Sequence, residues 1–310
     1  MARLVTVFGG TGFLGRQIVE RLTREGDTVR IAVRHPEGAK ARHQSDPVAA
    51  DIRDDTTVAS AVAGAAAVVN AVSLYMERAG LTYRSVHVQG ALNVAHCCAR
   101  LGITQLVHIS GIGADPRSSS PYIRARGEGE QVVREAFSSA TILRPSVMFG
   151  PDDAFLRTLM AIGKSTPVVP LIGGGVTRMQ PIHVADVAEA VRLCLTDPQR
   201  RGQAYELGGP EIYSLRELIE MILAQMGRRR TFLAIPFGIA RPLARVLEYL
   251  PRAPLTTAQV DLLMQDSVPA RGASGAKELG MALHRLRDTV AALVSKTEGC
   301  DPQLPSPEVS

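Results

Sequence analysis

A glycine-rich turn near the start of the chain has the spacing of a phosphate-binding loop. Gly9, Gly12 and Gly15 give a GxxGxxG pattern that follows the apolar run Leu4–Phe8 and opens an amphipathic segment. The first glycine permits a tight turn, the second lets the backbone approach a pyrophosphate, and the third allows a helix to pack closely on a strand. The helix N-terminus would then face the phosphate charge. The predicted dinucleotide-binding loop comprises Gly9, Gly10, Thr11, Gly12, Phe13, Leu14 and Gly15.

The residue that follows the second apolar run bears on which nucleotide is bound. An NAD(H) site would have Asp or Glu at this point to bind the ribose 2′-hydroxyl, whereas this chain has Arg34. A guanidinium can bind a 2′-phosphate through two hydrogen bonds, and a carboxylate would repel it. We therefore predict NADP(H), with NAD(H) less favoured. The alternative is that Arg34 is simply a solvated loop residue.

Residues that follow the third strand and end the fourth should line the same pocket. Asp51 and Ile52 are expected beside the adenine ring. Asn70, Ala71 and Val72 are expected beside the pyrophosphate and the ribose.

The elements that must position these residues alternate between short apolar strands and helices up to about Val147, which predicts βαβ units and a parallel sheet. The expected strands are Leu4–Phe8, Thr28–Val33, Pro47–Ala50, Ala66–Ala71, Gln105–Ile109 and Thr141–Leu143. Helices are expected at Phe13–Glu25, Thr56–Ala63, Tyr83–Leu101, Tyr122–Ala136, Val184–Leu195, Leu215–Gly227 and Thr257–Gln265, with a capping box at Ser214 and Glu217. We predict an α/β protein: a Rossmann-type doubly wound domain at 1–150, a small C-terminal α/β lobe at 151–298 and a disordered tail at 299–310.

Composition excludes several classes of function. The formal net charge of +5 is small and dispersed, and no basic reading helix is visible, so nucleic acid is not an expected partner. The four cysteines fit neither a zinc site nor a disulfide framework, and no metal site is predicted. The sequence shows neither a signal peptide nor a run of about 18 apolar residues that would predict a transmembrane helix.

Several longer motifs carry a resemblance to a known family. They are the stretches at 122–130, 141–151, 170–175 and 205–210, which begin with Tyr122, Thr141, Pro170 and Tyr205. With the glycine loop, they resemble the extended or atypical short-chain dehydrogenase/reductases. Within that superfamily the chain most resembles the accessory-subunit branch, the alpha-subcomplex subunit nine family of respiratory complex I. The resemblance runs from Leu4 to roughly Val268.

The resemblance also implies a set of catalytic positions, and this chain departs from most of them. Active members use a Tyr in YxxxK, a Ser that polarises the carbonyl and an Asn in a proton relay. Tyr122 occupies the Tyr position, but Arg126 replaces the Lys, and its pKa forbids a relay role. Ile112 aligns with the Ser, with Ser110 two residues earlier, and His87 stands where the Asn is typical. The resemblance also implies cofactor contacts at Ser110, Tyr122, Arg126, Arg144 and Pro145, of which Arg144 and Pro145 should border the nicotinamide half of the pocket.

We therefore expect a nucleotide pocket that is intact and a catalytic site that is degraded. The first hypothesis is an NADP(H)-binding, largely non-catalytic accessory or assembly subunit of complex I. The resemblance implies that such a subunit would lie at the junction of the quinone module and the membrane, peripheral on the cytoplasmic side or its matrix equivalent. The apolar, arginine-bearing segment Phe232–Leu250 would contact lipid, or would be an ordinary packed helix.

Two alternatives remain open at this point. The chain could be an active NADPH-dependent reductase, dehydrogenase or epimerase, with Tyr122 and Arg126 as a modified pair. Its substrate would be a quinone-like, isoprenoid or sugar-nucleotide compound. A weaker alternative is a regulator that senses the redox state of NADP(H) and binds another protein.

Overall fold

The short apolar runs form strands, and the amphipathic segments between them form helices. The computed structural model describes residues 3–38, 45–78, 80–151, 153–250, 253 and 255–298. The strands are β1 (Leu4–Phe8), β2 (Thr28–Val33), β3 (Ser45–Ala49), β4 (Ala67–Asn70), β5 (Leu106–Ile109), β6 (Thr141–Pro145), β7 (Met148–Phe149), β8 (Val168–Ile172), β9 (Arg178–Met179), β10 (Ile182–His183), β11 (Ala204–Leu207), β12 (Tyr213–Ser214) and β13 (Thr231–Ile235). The helices are α1 (Phe13–Arg24), α2 (Asp55–Val62), α3 (Ala91–Arg100), α4 (Pro121–Ala136), α5 (Ala154–Ser165), α6 (Val184–Thr196), α7 (Leu215–Gln225), α8 (Phe237–Leu247), α9 (Thr257–Leu263) and α10 (Leu286–Glu298).

Seven parallel strands form the central sheet, in the order β11-β6-β5-β4-β1-β2-β3. The chain winds outward from β1 in one direction and then, from β4 onward, in the other. The strand order therefore reverses between β1 and β4. The glycine loop follows β1 and so lies at this point of reversal. Open α/β sheets bind ligands at such a switch point, beyond the carboxyl ends of the strands. The predicted Rossmann-type doubly wound sheet is confirmed.

Helices cover both faces of this sheet. On one face the buried stripe of α1, formed by Leu14, Ile18 and Leu22, packs in a common core with residues of α6. On the other face α2, α3 and α4 pack over the same strands. Strands buried on both faces read as continuous apolar runs, which is why β1, β2 and β4 are recognisable in the sequence.

The C-terminal half divides its elements between the sheet and a separate cluster. α5, α7 and α10 contribute to an apolar core of their own, beside the parallel pair β8 and β13. α6 and β11 instead return to the central sheet, where Ala204–Leu207 pairs with β6. The division predicted after Gly150 thus does not coincide with the limit of the sheet layer. The predicted tail, 299–310, lies outside the described residues.

The predicted helix Tyr83–Leu101 is not uniform. It begins as a π-helical segment at Arg84–Gly90 and continues as α3. A Cβ on Gly129 of α4 would lie 2.1 Å from the carbonyl oxygen of His87, so only glycine leaves room for this approach. The predicted capping box is present, with the side chains of Ser214 and Glu217 each bound to the other's backbone.

Among the described residues, no helix combines the length and the apolar character that crossing a membrane requires.

Candidate nucleotide site

Close backbone contacts at Gly9 and Gly15 fix the shape of the glycine loop. Gly9 has a φ of +79°, and a Cβ there would lie 2.9 Å from the Ala71 carbonyl. A Cβ on Gly15 would lie 2.0 Å from the Gly9 carbonyl oxygen. Gly12, the N-cap of α1, is different, because a Cβ there would meet only the Gly9 oxygen, at 3.3 Å. The loop is therefore fixed by Gly9 and Gly15 and open at Gly12.

The open side of the loop suits an anion. Gly12 offers α1 no side-chain cap, and the first turn of α1 contains no acidic residue. The first amide groups of a helix lack intrahelical acceptors and carry partial positive charge, so they favour a phosphate group. The residues present therefore fit the pyrophosphate of a dinucleotide.

The remaining loop residues differ in what they can offer a ligand. The side chain of Leu14, in the first turn of α1, is buried in the core. A Cβ on Gly10 would lie 2.8 Å from Ile31, so both residues can offer a ligand only their backbone groups. Thr11 is exposed, and Phe13 is half-buried with its ring beside Gly150. Thr11 and Phe13 are thus the loop side chains that remain accessible.

Asp51 interacts with both Arg53 and Arg34 on the side predicted to bind adenosine. Arg34 follows β2 and is exposed, and Asp51 lies just beyond the end of β3. Hydrogen bonds from Arg53 lower the pKa of the Asp51 carboxyl, and the charge of Arg34 lowers it further. Ile52 is buried, and its side chain occupies the space that a Cβ on Gly90 would need.

The segment after β4 lies over the loop. Asn70 is buried, its Oδ1 accepts the Val72 amide at 3.2 Å, and its Nδ2 lies 3.3 Å from Nδ1 of His108. Asn70 therefore fixes the turn that lays Ala71 and Val72 against Gly9. His108 was not predicted as part of the site. Burial lowers its pKa to about 4, so its ring is neutral at pH 7.

Tyr122, which is buried, and Arg126, which is half-buried, form a pair on α4. Nη1 of Arg126 donates to the Tyr122 hydroxyl at 2.8 Å. Burial raises the pKa of Tyr122 to about 12, although the charge of Arg126 and a hydrogen bond with Ser73 act in the opposite direction. Ser73 is a contact that the sequence did not reveal, since no motif accompanies it.

The structure also shows the other positions implied by the family motif. The His87 ring meets the Tyr122 ring edge-on at 5.6 Å, and its Nε2 contacts the Leu74 backbone. Burial lowers the pKa of His87 to about 3. Ser110 is buried, and its hydroxyl has no hydrogen-bond partner in the described part of the chain. Such an unpaired hydroxyl is what a bound group could satisfy.

Arg144 is held by two carboxylates. Its Nε and Nη2 donate to Glu130 of α4, and its Nη1 donates to Glu206 of β11 at 3.3 Å. The predicted contact of Arg144 with the nicotinamide half would therefore compete with these ion pairs. The carbonyl of Pro145 accepts the amide of Ile112, which joins the ends of β5 and β6.

A second cluster of titratable groups consists of His183, Asp186 and His284, whose potential metal-ligand atoms lie within 4.8 Å of one another. These groups also serve the fold. Nδ1 of His183 accepts the Ala185 amide at the start of α6, and Asp186 accepts both the amide and the ring nitrogen of His284. A neutral His183 ring that accepts this amide at Nδ1 carries its proton on Nε2, so it has no lone pair for a metal while it caps α6, and we assign no metal to the cluster.

Comparison with known proteins agrees with this geometry. The family model of the NAD dependent epimerase/dehydratase family matches residues 5–208. Subunit 9 of the NADH dehydrogenase [ubiquinone] 1 alpha subcomplex, from Arabidopsis thaliana mitochondria, is 30% identical over 303 residues, covering 92% of this chain and 75% of that protein. The NADH-ubiquinone oxidoreductase 40 kDa subunit of Neurospora crassa is 30% identical over 283 residues, covering 89% and 74%.

A solved structure of MoeE5 with UDP-glucuronic acid and NAD superposes with a TM-score of 0.73, covering 95% of this chain and 99% of that one at 19% identity. At that identity the superposition shows the fold alone. The family match and the two relatives go further: this chain belongs to the NAD dependent epimerase/dehydratase family and, within it, to the group of alpha subcomplex subunit 9 homologues.

Proposed function

We propose that this protein is an NADP(H)-binding, largely non-catalytic accessory or assembly subunit of respiratory complex I. The burial and the raised pKa of Tyr122 are the observations that support a non-catalytic role. Its side chain is 1% exposed, and its pKa is raised to about 12, so the hydroxyl remains neutral at physiological pH. A general acid or base works best when its pKa lies near the working pH. The intact glycine loop, in contrast, fits a retained nucleotide.

Arg34 supports NADP(H) over NAD(H). The chain has no carboxylate at the end of β2, where one would bind a 2′-hydroxyl, and the exposed Arg34 offers a guanidinium that suits a 2′-phosphate. Asp51, the nearby carboxylate, is already held by Arg53.

The relatives named above support the assignment to complex I, since they are subunits of mitochondrial NADH–ubiquinone oxidoreductase. We propose a peripheral position at the junction of the quinone module and the membrane, on the cytoplasmic side or its matrix equivalent. The surface of α8 supports a lipid contact. Ala240 and Ala244 face inward, whereas Ile239, Leu243 and Val246 form an exposed apolar stripe. Such a stripe can lie in the headgroup region, with Arg245 near anionic lipid.

An active NADPH-dependent reductase is the second candidate, and one observation favours it. Tyr122 and Arg126 are joined by a hydrogen bond. Tyr83 contacts the Tyr122 ring and also lines a cavity of about 350 Å³. That cavity is lined by Met76, Glu77, Arg78, Tyr83, Glu248, Leu250 and Thr257. A quinone-like, isoprenoid or sugar-nucleotide substrate would have to reach Tyr122 from this side.

A single purification from native membranes distinguishes the accessory subunit from the active reductase. The protein is purified gently from its native membranes, and the nucleotide released on denaturation and the co-eluting proteins are identified. NADPH in near one-to-one amount together with complex I subunits is the expected result. A free protein whose bound NADPH is oxidised by a quinone or a ketone would overturn it.

Tyr122→Phe sharpens this test, because it removes the hydroxyl and keeps the ring. We expect the variant to keep its NADPH and its place in the complex. Loss of NADPH oxidation in the variant, when the wild type oxidises it, would establish the reductase instead.

A further inference from the structure

The segment between β4 and the π-helical turn covers Tyr122. We call residues 73–78 and 80–83 the strap. The ring of Tyr75 stacks on that of Tyr122 at 5.8 Å, and the ring of Tyr83 meets its edge at 5.4 Å. Tyr75 is itself 50% exposed, so its ring lies between Tyr122 and solvent. Displacing the strap would expose the part of the Tyr122 ring that Tyr75 and Tyr83 cover.

Hydrogen bonds within the strap hold its shape. Arg78 and Leu81 exchange backbone bonds of 3.0 and 2.8 Å, and the Tyr83 hydroxyl donates to the Tyr75 carbonyl at 3.2 Å. The Tyr83 amide donates to Glu77 at 2.7 Å. These bonds keep the strap closed, so exchange of the Arg78 and Leu81 amides reports when the strap opens.

A single guanidinium ties the strap to the adenosine side of the nucleotide site. Nε and Nη2 of Arg53 bind both carboxylate oxygens of Asp51. Nη1 of the same side chain donates to the carbonyl of Gly80 at 2.6 Å. Because the guanidinium is planar and rigid, it cannot reorient toward a new partner on one side without moving on the other.

We propose that Arg53 couples the nucleotide's 2′-phosphate to the strap, so that binding of the phosphate releases Gly80 and uncovers Tyr122. The inference rests on the NADP(H) site proposed above. A 2′-phosphate brings about two negative charges to the side where Arg34 and Arg53 lie close to Asp51. The bond to Gly80 has one ionised partner, the Arg53 guanidinium, whereas a bond to the phosphate pairs two opposite charges and adds Coulomb attraction. The phosphate therefore outcompetes the Gly80 carbonyl for the Arg53 guanidinium.

A fragment that fills only the adenosine half provides the test, because it cannot touch Tyr122. Hydrogen exchange of the Arg78 and Leu81 amides is followed in the full-length protein, alone and with saturating 2′,5′-ADP or 5′-AMP. We expect 2′,5′-ADP to speed exchange about tenfold, the effect of losing one hydrogen bond. We expect 5′-AMP, which lacks the 2′-phosphate, to leave the rate unchanged.

Two variants separate this coupling from general loosening. Arg53→Gln should exchange rapidly at Arg78 and Leu81 without ligand and show no response to 2′,5′-ADP. Arg84→Gln is the control, because Arg84 binds Glu128 and not the strap; it should behave as the wild type. Exchange in β1 and β4 reports whether each variant is folded.

Three results would overturn the proposal. One is an Arg53→Gln variant with the strap exchange of the wild type. Another is 2′,5′-ADP that binds by calorimetry and leaves exchange unchanged or slower. If 2′,5′-ADP does not bind at all, the NADP(H) assignment fails together with the coupling, and calorimetry distinguishes this from a failure of the coupling alone.

Discussion

At the scale of single residues, the proposed preference for NADP(H) rests on Arg34. Arg34→Asp removes the cation that would bind a 2′-phosphate and adds a charge that repels it, while offering an acceptor to a 2′-hydroxyl. Bonds to charged groups are worth roughly 1.5–3 kcal/mol, so we expect the preference for NADPH over NADH to fall by about 10- to 100-fold. Calorimetric titration of the purified variant with each nucleotide measures the ratio.

The matched control for this substitution is Arg24→Asp. Arg24 lies in the last turn of α1, is mostly exposed and undergoes the same change in formal charge. It should leave the NADPH-to-NADH ratio as in the wild type. Equal effects of the two substitutions would mean that the field of the whole molecule, and not a contact of Arg34, sets the preference.

At the scale of elements, two glycines in the turn between β1 and α1 should have different roles. Gly15 should matter for the stability of the fold, and Gly12 for nucleotide binding. Gly15→Ala places a Cβ 2.0 Å from the Gly9 oxygen and should destabilise the protein by several kcal/mol, since backbone must move. Gly12→Ala meets only one atom, at 3.3 Å, and should change the free energy of unfolding by about 1 kcal/mol or less. Its methyl group, however, lies where the pyrophosphate would approach. Urea unfolding and NADPH titration of both variants check this, and tight NADPH binding by Gly12→Ala would contradict the placement of the nucleotide.

Helix α8 permits a second prediction at this scale. The double substitution Ile239→Glu and Val246→Glu places two carboxylates on the exposed apolar stripe, where the original side chains are 61% and 65% exposed. We expect its binding to vesicles that contain anionic lipid to weaken tenfold or more, because both burial of apolar area and charge attraction are lost. Co-sedimentation measures the bound fraction.

Ile212→Glu is the comparison for α8, since Ile212 is also exposed but precedes β12, outside α8. Vesicle binding by this variant should equal that of the wild type. If all the variants bind vesicles equally, the α8 surface serves a protein contact or none.

The elements also show how far the sequence could predict this structure. The bounds of β1 and β2 follow from continuous apolar runs, and the glycine spacing predicts the loop. The return of β11 to the sheet was not predicted, because the pairing of Ala204 with Ile142 is a long-range contact that leaves no local pattern. Three contacts depend on the paths of loops after the strands. They are the contact of Ser73 with Tyr122, that of His108 with Asn70, and the bond from Arg53 to Gly80. Motif spacing carries no information about such paths.

At the scale of the whole molecule, two buried neutral histidines make stability depend on pH. Burial lowers the pKa of His87 to about 3 and that of His108 to about 4, from an ordinary value of 6.5. Below pH 6.5 the unfolded chain therefore binds protons that the folded chain does not. The stabilisation is complete above pH 6.5 and is lost as the pH falls toward 4. Each histidine contributes a slope of roughly 1.4 kcal/mol per pH unit.

Urea unfolding at several pH values between 6.5 and 5 measures this slope, since most carboxyl groups titrate only below about pH 4.5. His108→Asn keeps an acceptor for the Nδ2 of Asn70 and removes one titrating group, so the variant should lose about half of the slope contributed by this pair. His96→Asn, at an exposed position of α3, should keep the wild-type slope. A His108→Asn slope equal to that of the wild type would show that His108 takes up its proton in the folded protein. The polar connection between β4 and β5 would then have to accommodate a charge, and Asn70 could no longer hold Ala71 and Val72 against Gly9 in the way described above.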